Sequence, residues 1–188
     1  MKSRLDRWVA ILFLVLLVNT GYVAAFSSPT VFYMTNVLGH VVLGTVLAIA
    51  LFFIGRRTGL LSGARIAVAL LLLAFLLGAI LTYAGNIRDN AWILWSHIAA
   101  AILGVAALIP FVWKKAAQGD RDWLTFKKGF QLSLIVLIAL PILGRGYKRF
   151  FPDPANRIVN PASPPFLFGG AQPEDRQKRS KVRVRTGR

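Results

Sequence analysis

Two histidines, His40 and His97, are the only imidazoles in 188 residues, and each stands inside an apolar run. His40 lies in NVLGHVVLGTVLAIALFFIG and His97 in WILWSHIAAAILGVAALIPFVW, both a few residues past the start of the run. An ionisable side chain at such a position is costly to hold in hydrocarbon, which makes it a functional candidate by default. No carboxylate accompanies them within the apolar runs, and there is no Ser–His–Asp set, Gly-rich phosphate loop or H-E-x-x-H. A proton-relay transporter would need intramembrane acids that are absent here. Two histidines are too few for a zinc site, which wants three or four ligands. Imidazole suits iron, and a pair of imidazoles can supply both axial ligands of a haem. The other readings of the pair are a purely structural role, quinone binding or another metal.

The elements that must position these side chains are membrane-spanning helices. The chain is 56% apolar and 16% charged, against about 45–50% and about 25% in globular proteins. Five apolar runs are found, at about residues 9–26, 37–55, 66–83, 91–113 and 129–144. The fifth has 16 residues, just short of the usual minimum of about 17. The expected architecture is all-α: a membrane bundle of about five helices over residues 1–144 with a four-helix haem-binding core. Residues 145–188 are expected to form an extended tail without a fold of its own, being rich in proline and glycine and ending in KRSKVRVRTGR. The first run also fits a cleavable signal peptide, with a basic start, an apolar stretch from Val9 to Val18, and small residues at Val23 and Ala25. Both readings leave the next residue on the same side.

Charge gives the orientation. The N-terminus and the connections RRTGLLSGAR and KKAAQGDRDWLTFKK carry net +2, +3 and +3, whereas SSPTVFYMTN and GNIRDN carry none. The positive-inside rule puts the first set in the cytoplasm. Trp8, Trp113 and Trp123 then fall near the inner boundary, and Tyr83, Trp92 and Trp95 near the outer one, as interfacial belts. The tail carries net +8 and follows an odd number of spans, so it is expected outside. There Phe150, Phe151, Phe166 and Phe168 are candidate anchors for a partner. There is no cysteine, which excludes disulfides, iron–sulfur clusters and covalent c-type haem. The net charge of +16 is read as topology signal and lipid contact, with no nucleic-acid role.

With this topology the second and fourth runs travel in the same direction, and the histidines lie roughly 6 and 10 Å below the outer loops at 1.5 Å per residue. They are thus at one level of the bundle. Small residues near them, Gly44 on the second run and Gly104 on the fourth, with Gly39 and Gly78, are candidates to clear room for a macrocycle. Arg88 in the outer loop is a candidate partner for a haem propionate. The site residues expected from the sequence are therefore His40 and His97 as metal ligands, with Gly44, Gly104 and Arg88 around the cofactor.

The arrangement resembles a bacterial family of small membrane-embedded b-type cytochrome modules, which often precede or pair with periplasmic multihaem c-type cytochromes. The resemblance is carried by His40 and His97 on alternate helices and by NPASPPFLFGG after the last helix, and covers about residues 30–170. It implies non-covalent haem b held by His40 and His97, and electron transfer between the quinone pool and outer-side carriers. It also implies residence in a bacterial inner membrane. No C-x-x-C-H follows, so the c-type haems would belong to a separate polypeptide. The alternative from a different class is a cofactor-free transmembrane scaffold that anchors a larger membrane complex.

Overall fold

A computed structural model describes residues 4–26, 30–54 and 60–151, and every regular element among them is helical. The elements are α1 (Arg4–Ala25), α2 (Val31–Ile54), a short α3 (Leu60–Gly63), α4 (Arg65–Ala84), a 3₁₀ turn (Arg88–Asn90), α5 (Ala91–Ala117) and α6 (Arg121–Phe150). All but α3 and the turn are long and apolar enough to cross a bilayer, with mean hydropathy from 1.7 to 2.6. The chain is a multi-pass, all-α membrane protein. Helices are required there because every backbone polar group must find its partner within the segment.

The fifth span is longer than its apolar run. Its helix has 30 residues because it starts well before Gly129, where Asp120 caps it: Asp120 Oδ1 accepts from the backbone N–H groups of Asp122 at 2.8 Å and Trp123 at 3.4 Å. Acidic Asp122 in the first turn and Lys148 and Arg149 in the last suit the helix dipole. The helix also runs past residue 144, to Phe150. The compact unit formed by the helices ends at Arg149. The remainder of the expected tail, including Phe166 and Phe168, lies outside the described residues.

Five long helices close on one another side by side. α1 meets α6 where side chains vanish: a Cβ on Gly21 would stand 3.1 Å from Leu137 Cα, and one on Gly144 would stand 3.0 Å from the Ala25 carbonyl oxygen. Small residues at such crossings let backbones approach in lipid, where no hydrophobic force drives association. α1 pairs with α2 through Asn19, whose Nδ2 donates to the Asn36 carbonyl at 3.0 Å. α2 touches α4, and α4 has its most extensive contact with α5. Gly85, at φ +80°, ends α4 in a conformation that favours glycine. Asn90 Nδ2 then donates to the carbonyls of Ala84 and Gly85, both at 3.1 Å, to close the α4–α5 hairpin. α5 reaches α6 through an aromatic cluster in which Phe111 meets Trp123 and Trp113 meets Phe130.

Packing is uneven along the bundle. The main core gathers Leu17, Ala67, Leu108, Phe111, Val112 and Phe130, flanked by Phe13, Trp113, Trp123 and Phe126. It lies toward the end that carries Lys114 and Lys115, here called the basic end. Trp113 and Trp123 are half-buried members of this cluster rather than the membrane-facing anchors expected of them. Trp8, Trp92 and Trp95, by contrast, are exposed, as belt residues should be. Toward the opposite end α1 and α6 stay closely packed but α2 is less so: a Cβ on Gly39 or on Gly44 would meet nothing within 4 Å. That is the end where both histidines stand.

Candidate functional site: a pair of anchored histidines

The two imidazoles meet. Their ring centroids are 6.3 Å apart and their planes lie at 76°, so the matching depth expected from helix rise becomes an actual contact between α2 and α5. Both side chains are half-buried. Neither lines the groove between α1, α2 and α6 or the one beside Ser62 and Lys115.

Each ring is anchored through Nδ1. His97 Nδ1 lies 2.8 Å from the Ala74 carbonyl oxygen of α4. A carbonyl can only accept, so Nδ1 carries the proton and donates it. Gly78 makes this approach feasible: a Cβ there would come within 3.1 Å of both Cε1 and Nδ1 of His97. Gly78 is one helical turn beyond Ala74, so the missing side chain opens the path to the carbonyl behind it. His40 Nδ1 lies 3.3 Å from Thr20 Oγ1 of α1. The Thr20 hydroxyl already donates to the Leu16 carbonyl at 2.7 Å, so toward His40 it offers a lone pair and the imidazole Nδ1–H donates. Each ring thus turns Nδ1 to its tether, and in the neutral imidazole the lone pair then sits on Nε2. Fixing one nitrogen through a neighbouring acceptor is how proteins orient a histidine ligand and raise its basicity.

Four helices thus build the pair: α1 and α2 supply Thr20 and His40, while α4 and α5 supply Ala74 with Gly78 and His97. Among the described residues, no three His, Cys, Asp or Glu side chains come together that could hold a metal ion.

The other expected site residues are placed variously. Gly44 borders open space, whereas Gly104 is covered by Leu71, whose Cγ would lie 2.9 Å from a Cβ there; its smallness serves the α4–α5 crossing. Arg88 is exposed on the 3₁₀ turn, at the same end of the bundle as the histidines. Thr20 and the Ala74 carbonyl were not expected. Thr20 had a signal in the sequence, since Asn19–Thr20 is a polar pair within an apolar helix. A backbone carbonyl has none. No family model, no curated protein and no solved structure matches the chain.

Proposed function

We propose that the protein is a membrane-anchored b-type cytochrome subunit, in which His40 and His97 would hold one non-covalent haem. The single observation that carries this reading is the 6.3 Å separation of two rings that are each tethered through Nδ1. Two imidazoles that would share one metal, at metal–nitrogen distances of about 2 Å, need rings about this close. That spacing supports the reading, as does the open space beside Gly44 one turn from His40. Bound there, haem supplies reversible one-electron transfer.

The chain's own residues do the rest. Thr20 and the Ala74 carbonyl hold the ring planes and keep the metal-facing nitrogens deprotonated. Gly78 admits the His97 ring. Apolar helix faces keep bulk water from the pair, and a low-dielectric surrounding raises the effect of every nearby charge on the potential. Arg88 is the candidate for a propionate group at this end of the bundle. We further infer that the basic end faces the cytoplasm, on the positive-inside rule. The histidine end would then face the outer side, where electrons pass between the quinone pool and a c-type cytochrome or another subunit of a membrane complex.

The test is a visible spectrum of the purified, dithionite-reduced protein. A Soret band with a sharp α-band of the b type is expected. A protein purified from haem-replete cells with no Soret band would leave the cofactor-free scaffold as the better reading.

A further inference from the structure

At the basic end a groove opens between the short α3 and the last turns of α5. It holds about 370 Å³, within the range of small-molecule sites, about 300–1,000 Å³. Its wall on α5 runs from Ala107 to Gln118, about 16 Å at 1.5 Å per residue. Its character changes along that height. The part deeper in the bundle is apolar, made by Ala107, Pro110 and the ring of Phe111. The part at the rim is polar, with Ser62 on α3 and Lys114, Lys115 and Gln118 on α5. The floor is fixed from both sides. Phe111 is buried, a Cβ on Gly63 would stand 2.7 Å from its Cε2, and Trp123 meets its ring edge-on at 5.6 Å.

The two lysines have no use within the protein that explains their place. Cations suit a helix C-terminus, but the last turn of α5 already has donors for its carbonyls. The Gln118 N–H donates to the Lys115 carbonyl at 3.2 Å and the Gly119 N–H to the Ala116 carbonyl at 3.1 Å. The nearest acids in the chain are engaged elsewhere: Asp120 caps α6 and Asp122 pairs with Arg7 at 3.5 Å. Lys115 turns back along its helix, with Nζ 5.9 Å from the centroid of the Phe111 ring, so its charge stands above the groove floor. We propose that this groove seats an anionic glycerophospholipid, its phosphate held by Lys114 and Lys115 and the start of its chains against Ala107, Pro110 and Phe111. Basic pockets between membrane helices recognise such headgroups. The apolar deeper half selects a lipid over a free anion. The rim offers two cations and no carboxylate, so it disfavours a headgroup that also carries an ammonium. Neither the groove nor its charges depend on the haem reading.

The test titrates the full chain in detergent with phosphatidylglycerol and counts bound lipids by native mass spectrometry. In the wild type one phosphatidylglycerol is expected to bind more tightly than any that follow, and phosphatidylcholine of the same chains about tenfold or more weakly. Lys114→Gln with Lys115→Gln should weaken the first phosphatidylglycerol about tenfold or more, because each cation adds its own attraction to an anionic headgroup. Lys127→Gln with Lys128→Gln removes the same charge at the same end of the bundle but outside the groove, and should leave that binding unchanged. Circular dichroism establishes that both double variants keep their helices, and the comparison of the two lipids on the wild type needs no variant. Equal binding of phosphatidylcholine overturns the proposal, since the charge is then not read. Unchanged binding in the Lys114 and Lys115 variant overturns it as well, and equal loss in both double variants reduces it to diffuse attraction. Displacement of the lipid by millimolar inorganic phosphate would make a free anion the occupant and sink the lipid.

Discussion

The imidazole of His97 occupies the space that a side chain on Gly78 would need, with Cε1 and Nδ1 both 3.1 Å from where that Cβ would stand. Helix packing and histidine placement are therefore one constraint: α4 has a gap one residue wide, and α5 fills it with its only ionisable apolar-segment residue. The gap leads to a backbone carbonyl, which sets the tautomer of the ring.

Enlarging Gly78 should break that arrangement. Gly78→Leu is expected to displace His97 from Ala74 and to cost about 1–3 kcal/mol through overpacking. Gly78→Ala asks only a few tenths of an ångström of the ring and should be much milder. Thermal unfolding in detergent, combined with the haem spectrum, checks both; equal behaviour of the two variants would count against the gap as a seat for the ring.

Removing the anchor on the other side should weaken a ligand without deleting it. Thr20→Val keeps the shape of the side chain and removes the acceptor for His40 Nδ1–H. Loss of such a partner typically lowers metal affinity about 10–100-fold. Haem retention during dialysis against apomyoglobin measures this, and retention equal to the wild type would show that Thr20 does not tune the ring.

Each histidine should be necessary. His40→Ala and His97→Ala are both expected to lower haem content, or to turn a low-spin spectrum into one that responds to carbon monoxide. Moving the ring one residue along, as His97→Ala with Ile98→His, rotates it by about 100° around the helix, and should not restore the spectrum. Full haem content in either single alanine variant would exclude ligation by this pair.

The orientation has a chemical test. Asn86 and Gln118 are exposed at opposite ends of the bundle. Because the chain has no native cysteine, Asn86→Cys and Gln118→Cys each give a unique thiol. In intact cells an impermeant maleimide should label the first and spare the second. The reverse pattern would turn the bundle over.

Asp120 gives a pH dependence outside the membrane. Desolvation, the largest single cause, would raise its pKa, but lowering causes that include the backbone N–H groups of Asp122 and Trp123 together outweigh it and hold the carboxyl below its ordinary value. A carboxylate depressed on folding contributes stability at neutral pH, which is lost as the pH falls through the depressed value. The start of α6 should therefore fray in acid in the wild type, whereas Asp120→Ala should fray at neutral pH and respond less to acid. Amide hydrogen exchange at Asp122 and Trp123 reads this.

The histidines and the spans were legible because lipid makes polar residues rare and apolar runs long. His40 and His97 needed no geometry to be noticed, only their isolation. The extent of α6 was harder: its first turns, RDWLTFKK, hold charges that break the apolar run, while Trp123 and Phe126 of the same turns face inward against Phe111 and Phe130. Glycines were legible as small but not as to what they make room for. Gly78 admits an imidazole, Gly104 admits Leu71 and Gly44 borders open space, yet composition reads all three alike.

The uneven packing bears on how such a bundle is assembled. Phe130 and Val112 at the basic end are closed off almost completely, while Gly39 and Gly44 on α2 border open space. Regions with few buried contacts open at lower free energy than a packed core. The aromatic cluster thus acts as a clasp: it ties α1, α4, α5 and α6 together at one end and leaves α2 to be held by its neighbours along its length.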